Sequence, residues 1–83
     1  MDERRKRLLY RATHRGTQEA DRLVGAFAET HVGRLSEDEL DCFEVLLDQN
    51  DVDLVDWITG RKAPPASLEG PLLRRMIEGL DRR

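Results

Sequence analysis

The chain has 83 residues, of which 37% are charged and 39% apolar, and 17 acidic against 14 basic residues give a net charge of −3. A chain of this length predicts one domain, residues 1–83, that buries only about 60–65% of its unfolded surface and leaves little room for an enclosed active site. The acidic balance also counts against a general nucleic-acid binder, which carries a concentrated basic face.

Cysteine content and hydropathy limit the cellular context. The only cysteine, Cys42, excludes an internal disulfide and a cysteine-based zinc knuckle, and it suits a reducing compartment. No apolar run exceeds three residues, so we expect no membrane insertion. The arginine-rich start lacks the apolar segment of a secretory signal, and Asp2 and Glu3 count against a transit peptide. We therefore expect a cytoplasmic protein.

Two helices are predicted in the first half of the chain. The first runs from about Asp2 to His14, with acids at its start and a histidine at its end, as the helix dipole favours. The second follows a break at Gly16 and is predicted to end near Gly33, with Gly25 off its apolar face. That face follows helical spacing through Ala20, Leu23, Val24, Phe27, Ala28 and His31.

The third helix has the clearest start signal. Ser36 followed three residues later by Glu39 has the spacing of a capping box. Leu35 and Leu40 flank that box at the positions of a hydrophobic staple. Cys42 is predicted on or near the core face of this helix.

A short fourth helix is predicted next. Asn50 is predicted to stop the third helix in a left-handed conformation, and Asp51 or Asp53 to cap the fourth. Gly60 is predicted to end the fourth helix, and Trp57 to be buried against the second and third helices.

The fifth helix is predicted to begin at Pro71, after a loop that contains Pro64 and Pro65. Its apolar stripe is Leu72, Leu73, Met76, Ile77 and Leu80. No segment alternates apolar and polar residues as a strand would. The sequence therefore predicts a compact all-α bundle of five short helices.

Catalytic chemistry has little support in the sequence. Cys42 has only His14 and His31 as possible bases, and their spacing suggests neither a triad nor a metal site. There is no glycine-rich phosphate loop. The acidic residues of the fourth-helix region lack the pattern of a calcium loop. A protein-binding module is therefore a better interpretation than an enzyme.

The corner between the first two helices is the best candidate for such binding. Arg15, Gly16 and Glu19 lie off the apolar stripe of the second helix, so we expect them to be exposed. On composition alone, the corner is a helix–helix turn with a surface ion pair worth roughly 0–1 kcal/mol. If it is a docking site instead, a Gly16→Arg variant should stay folded and obstruct the partner.

The segment Arg15-Gly16-Thr17-Gln18-Glu19 resembles the Arg-Gly-x-x-Glu signature of the succinate dehydrogenase assembly factors, or flavinylation factors. Later blocks at 35–39, 43–47 and 51–60 also resemble that family, in the same order. The resemblance covers about residues 8–80 and depends on this ordered series more than on the short signature.

The resemblance implies a five-helix domain that binds the flavoprotein subunit of succinate dehydrogenase, or of fumarate reductase, and promotes covalent attachment of FAD to it. The factor would not be an enzyme, would hold no cofactor or metal stably, and would be a monomer when free. Its implied partner-binding residues are Arg15, Gly16 and Glu19, widened by Arg11 and His14.

Two alternatives remain open at this stage. One is a generic helical interaction domain that uses Trp57 and the acidic surface. The other is a helix-turn-helix DNA-binding domain built from the second and third helices. The second alternative is weaker because the third helix is acidic where a recognition helix would meet phosphates.

Overall fold

The computed structural model describes residues 1–81, and over that range the chain forms five α-helices and one 3-10 turn, with no strand. The helices are α1 (Glu3–Thr13), α2 (Gln18–His31), α3 (Glu37–Leu47), α4 (Asp51–Thr59) and α5 (Pro71–Asp81), and the 3-10 turn is Val32–Arg34. The predicted all-α fold with five short helices is confirmed. The side chain of Leu80, predicted on the fifth stripe, lies outside the described part.

Local capping sets most of the helix ends. Asp2 caps α1 by accepting the Arg5 backbone N–H at 2.8 Å. Ser36 and Glu39 form the predicted capping box, with reciprocal hydrogen bonds of 3.1 and 2.8 Å. Each side chain thereby satisfies a backbone N–H that has no partner within the helix, so these ends are defined by nearby sequence.

Asn50 begins α4 and does not end α3. Its backbone is extended, with φ −73°, and its Oδ1 accepts the Asp53 N–H at 2.9 Å. The predicted left-handed stop at Asn50, and the predicted cap at Asp51 or Asp53, are therefore wrong. Because Asn50 supplies the cap, the Asp51 side chain remains available for another partner.

One core joins all five helices, and it includes Trp57. The Trp57 side chain is buried, with 6% of its surface exposed, as predicted. The main neighbours of its helix are α2, as predicted, and α5 in place of the predicted third helix. Cys42 is exposed, against prediction, because Leu40, Phe43 and Leu47 occupy the inward face of α3 at helical spacing.

Gly25 lies where α1 crosses α2. A Cβ at this buried position would stand 3.1 Å from Thr13 Cγ2 and 3.5 Å from the Ala12 carbonyl oxygen. The prediction that Gly25 lies off the apolar face is therefore wrong. Its missing side chain allows the close approach of the two helices that places the corner at residues 14–17.

Basic residues of α1 bind other parts of the same molecule. Arg4 contacts carboxylates of Glu37, Asp41 and Glu44 on α3 at 3.0, 2.5 and 3.2 Å, which raises the pKa of its guanidinium. Arg5 donates from Nε to the Val32 carbonyl at 3.0 Å. The basic start of the chain therefore helps to hold the fold together.

None of the helices in the described range is both long enough and apolar enough to cross a bilayer.

Candidate functional site

The Arg15 side chain turns inward from the corner. Its Nε donates to Asp51 Oδ1 at 2.8 Å, its Nη2 donates to the Gln49 carbonyl at 2.6 Å, and its Nη1 donates to the Leu47 carbonyl. Only 8% of the side chain is exposed. The expectation that Arg15 is exposed is therefore wrong.

These three hydrogen bonds join the end of α3 to the start of α4. The last carbonyls of a helix have no partner within it, and that of Leu47 accepts from the guanidinium instead, as does the Gln49 carbonyl in the turn that follows α3. Arginine suits this role because its planar fork donates in several directions at once. Arg15 therefore positions the α3–α4 turn relative to the corner. Each of its three guanidinium nitrogens donates a hydrogen bond within the molecule.

The backbone of the corner is held separately from the Arg15 side chain. Asp21 accepts the Arg15 N–H, and Thr17 Oγ1 accepts the Ala20 N–H at 3.3 Å as the cap of α2. Between them Gly16 takes φ +107°, a conformation that residues with a Cβ avoid. The turn is thus fixed by two side chains and one glycine.

Gly16 is exposed, and no atom lies within 4 Å of the position a Cβ would take there. A partner backbone can approach it closely. The positive φ nevertheless means that Gly16→Arg would strain the turn by about 1–2 kcal/mol. That Gly16→Arg stays folded and obstructs the partner remains a prediction, and Glu19, where a substitution carries no such strain, is the better residue to test.

Glu19 faces outward. Its side chain is 44% exposed, and its nearest cation in the described range is Arg61 Nη1 at 3.9 Å, which is longer than a hydrogen bond. The predicted surface ion pair between Arg15 and Glu19 does not form, because Arg15 binds Asp51. The motif thus divides into an inward cation and an outward anion.

Arg11 and His14 flank the corner on the side of α1. Arg11 donates to Asp48 Oδ1 at 2.6 Å, so its charge is engaged within the molecule. His14 is exposed and stacks on the Tyr10 ring, with centroids 3.9 Å apart and planes 14° from parallel. Of the five candidate residues at this corner, Gly16, Glu19 and His14 are exposed, and Arg11 and Arg15 are partly buried.

Two open depressions meet at Glu19. One is lined by Gln18, Glu19 and Arg22. The other has a volume of about 240 Å³ and is lined by Thr17, Glu19, Asp51, Val52, Val55, Asp56 and Arg61. Within the described residues, no group of His, Cys, Asp and Glu side chains is arranged to hold a metal ion. The arrangement suits contact with another protein.

Three residues of this surface were missed from the sequence: Asp51, Val52 and Arg61. A signal did exist for Asp51. Asn50 followed three residues later by Asp53 has the spacing of a helix cap, which would have released Asp51 from capping. Val52 and Arg61 had no local signal, because their proximity to Glu19 depends on the packing of α4 beside the corner.

Comparison with known proteins gives consistent results. A family model described as "Flavinator of succinate dehydrogenase" matches residues 6–79. The chain is 44% identical over 75 residues to the "FAD assembly factor SdhE" of Acetobacter pasteurianus, an alignment that covers 90% of this chain and 69% of that protein.

Several relatives bear the name "Succinate dehydrogenase assembly factor 2, mitochondrial", among them the following two. The protein of Dictyostelium discoideum is 37% identical over 70 residues, with 84% of this chain and 50% of the relative covered. The protein of Caenorhabditis elegans is 37% identical over 71 residues, with 83% of this chain and 60% of the relative covered. The chain thus spans between half and 60% of the length of these two relatives.

Proposed function

The chain belongs to the succinate dehydrogenase flavinator family, and on that premise we propose that it acts in assembly of succinate dehydrogenase. It binds the flavoprotein subunit of that enzyme and promotes covalent attachment of FAD to it. The FAD belongs to the partner, and the factor itself is neither an enzyme nor a stable carrier of a cofactor. A fumarate reductase flavoprotein is a second possible client.

The observation that carries this proposal is the division of the Arg-Gly-x-x-Glu corner. The Arg15 side chain is only 8% exposed and joins the end of α3 to the start of α4, while Gly16 and Glu19 remain exposed on the same turn. A rigidly supported anion beside an open backbone is suited to binding a protein surface, because little conformational freedom is lost on association.

Each corner residue then has a distinct role in docking. Glu19 accepts hydrogen bonds from a lysine or arginine of the flavoprotein. Gly16 allows contact at backbone distance, and His14 and Arg11 border the contact on α1. Arg15 acts indirectly, by holding the α3–α4 turn against the corner.

Binding of this kind assists a reaction without supplying catalytic groups. If the immature flavoprotein is held with its flavin and its acceptor side chain close together, positioning alone can lower the barrier by up to about 7–11 kcal/mol. The open depressions at Glu19 are consistent with a surface that positions a partner.

A reconstitution tests the proposal directly. Purified apo-flavoprotein, FAD and a dicarboxylate are incubated with the factor, and covalent flavin is followed by fluorescence in a denaturing gel. The wild-type factor should accelerate appearance of the fluorescent band. Glu19→Gln should slow it at limiting factor concentration, because the variant loses the charge offered to the partner.

Glu29 provides the matched control. It is an exposed glutamate of the same helix, α2, and it makes no ion pair with another described residue. Glu29→Gln therefore removes the same charge at a different place and should behave as wild type. If the wild-type factor left the rate of flavin attachment unchanged for both succinate dehydrogenase and fumarate reductase subunits, the proposed function would be wrong.

A further inference from the structure

We infer that the docking surface continues from the Gly16–Glu19 corner onto the first turn of α4, where Val52 is its apolar contact. We further infer that Arg61 forms a weak ion pair with the Glu19 carboxylate in the free protein, and that a cation of the partner replaces Arg61 on binding. The inference rests on the proposed function, so its occupant is the flavoprotein subunit. On the flavoprotein subunit, the element that contacts Val52 and Glu19 is an apolar side chain next to a lysine or arginine.

Val52 is the first observation. It is 69% exposed, and with Thr17 and Glu19 it lines the same depression at the corner. Its neighbour Asp51 is held by Arg15, so the turn that carries Val52 is tied to the corner. Because a β-branched side chain has few rotamers, an exposed valine on such a rigid turn loses little freedom on binding.

The charges around Val52 are the second observation. Three carboxylates line the depression, from Glu19, Asp51 and Asp56, against the single guanidinium of Arg61. Asp51 is engaged by Arg15, but Glu19 and Asp56 meet Arg61 only at 3.9 and 3.8 Å. The Asp51 and Asp56 side chains are only 20% and 14% exposed, and Lys62 also contacts Asp56, whereas the Glu19 side chain is 44% exposed. Glu19 is therefore the carboxylate that the depression presents beside the apolar Val52, and the two complement a basic and apolar segment of the partner.

The length of the Arg61 contacts is the third observation. Both distances exceed that of a hydrogen bond, and the Arg61 side chain is 61% exposed. Exposed ion pairs contribute little to stability, so moving Arg61 away has a small cost. A partner cation at hydrogen-bond distance from Glu19 would replace it. Arg61 thus competes with the partner in the free protein.

Paired valines test the apolar contact. Val45 is also exposed, at 47%, but it lies on α3 beside a different groove, which includes Cys42 and Leu68. Binding of each variant to the immobilised apo-flavoprotein is measured by biolayer interferometry. Val52→Asp should weaken binding about tenfold or more, because it would bury a carboxylate against the apolar side chain of the partner. Val45→Asp should stay within about twofold of wild type.

Paired cations test the competition. Lys62 contacts Asp56 at 3.9 Å and Arg61 contacts it at 3.8 Å, but within the described residues only Arg61 also pairs with Glu19. Arg61→Gln should tighten binding about two- to fivefold at low salt, whereas Lys62→Gln should change it less. In a Glu19→Gln background the gain from Arg61→Gln should disappear, because the two residues then no longer interact.

The outcomes separate this inference from the proposed function. If the factor accelerates flavin attachment but Val52→Asp binds as well as wild type, the proposed function stands and the inference is wrong. Weaker binding on Arg61→Gln would also overturn it, since Arg61 would then contact the partner. A dimer in sedimentation that Val52→Asp dissolves would make a second copy the occupant and equally overturn it. Circular dichroism checks folding, and Val52→Ser replaces Val52→Asp if the latter is unfolded.

Discussion

Arg4 and Arg15 both connect the first part of the chain to α3, but they do so in opposite surroundings. Arg4 meets three carboxylates whose side chains are 47–73% exposed. Arg15 meets one carboxylate and two carbonyls, and its side chain is 8% exposed. The residue with more ion pairs is therefore the one in contact with more solvent.

This difference shows that burial decides how much each arginine contributes to stability. Water screens the exposed pairs of Arg4 and can replace any one of them. If Arg15 is removed, two helix-end carbonyls and the Asp51 carboxylate lose their donors where solvent has little access. We therefore expect Arg15 to matter for folding and Arg4 mainly for the salt dependence of stability.

Among substitutions at Trp57, Arg15 and Arg4, Trp57→Ala should cause the largest loss of stability, and it gives a reference for the two arginines. Trp57→Ala should lower the free energy of unfolding by about 3–5 kcal/mol, because it leaves a large cavity in a small core. For a domain of this size that loss approaches the whole stability. Urea unfolding followed by circular dichroism measures it, and a loss no greater than that of Arg15→Ala would contradict the assignment of Trp57 to the core.

Arg15→Ala comes next in size. We expect a loss of about 1.5–3 kcal/mol, as is found for hydrogen bonds to charged groups that are left without a partner. Thermal unfolding should therefore move down by about 10 °C. Arg15→Lys should restore only part of the stability, since an ammonium cannot reproduce the planar fork.

Arg15→Ala also separates the positioning role of Arg15 from direct contact with the partner. Under conditions where the variant remains folded, flavin attachment should slow through displacement of the α4 turn. An unchanged melting temperature together with lost binding would show instead that Arg15 touches the partner.

Arg4→Gln should have a smaller effect, and one that depends on salt. We expect a modest decrease in melting temperature at low ionic strength that becomes smaller as the salt is raised toward about 1 M, where the Debye length is about 3 Å. Differential scanning fluorimetry at several salt concentrations measures it. A decrease that persists at high salt would mean that the contacts of Arg4 with α3 stabilise the fold by packing as well as by charge.

His31 predicts the smallest effect, as a dependence on pH. Burial, followed by the charges of Arg75 and Arg34, lowers the pKa of His31 from its ordinary value of 6.5. Just below pH 6.5, the unfolded state therefore binds more protons than the folded state. The contribution of His31 to stability is complete above that pH and declines as the pH falls below it. Urea midpoints should be lower at about pH 5.5 than at about pH 7.5, and His31→Gln should reduce the difference.

The shifted carboxylates Asp2 and Glu39 do not interfere in this pH range. Backbone hydrogen bonds from Arg5 and Ser36 lower the pKa values of Asp2 and Glu39 from 3.8 and 4.5, so their contributions are lost only in stronger acid. Equal slopes for wild type and His31→Gln between the two pH values would rule out His31 as the titrating group.

The sequence by itself determined the helices and several of their ends. Capping by Ser36 and Glu39, the proline start of α5 and the glycine end of α4 are short-range effects, in which each signal and its consequence lie within a few residues. The motif corner was also locatable, because Gly16 breaks the helical pattern and the later blocks follow in order.

Only the tertiary structure decided which way the charged groups of the corner face. Arg15 meets Asp51 across 36 positions of sequence, and Glu19 lines one depression with Arg61 and Val52 because α4 packs beside α2. Helical periodicity shows only that a residue lies off the apolar stripe, and such a residue can be exposed or can fill the gap between two helix ends. The Arg15 guanidinium fills such a gap because the Leu47 and Gln49 carbonyls there accept its hydrogen bonds. The packing of α3 and α4 brings those two carbonyls together in space.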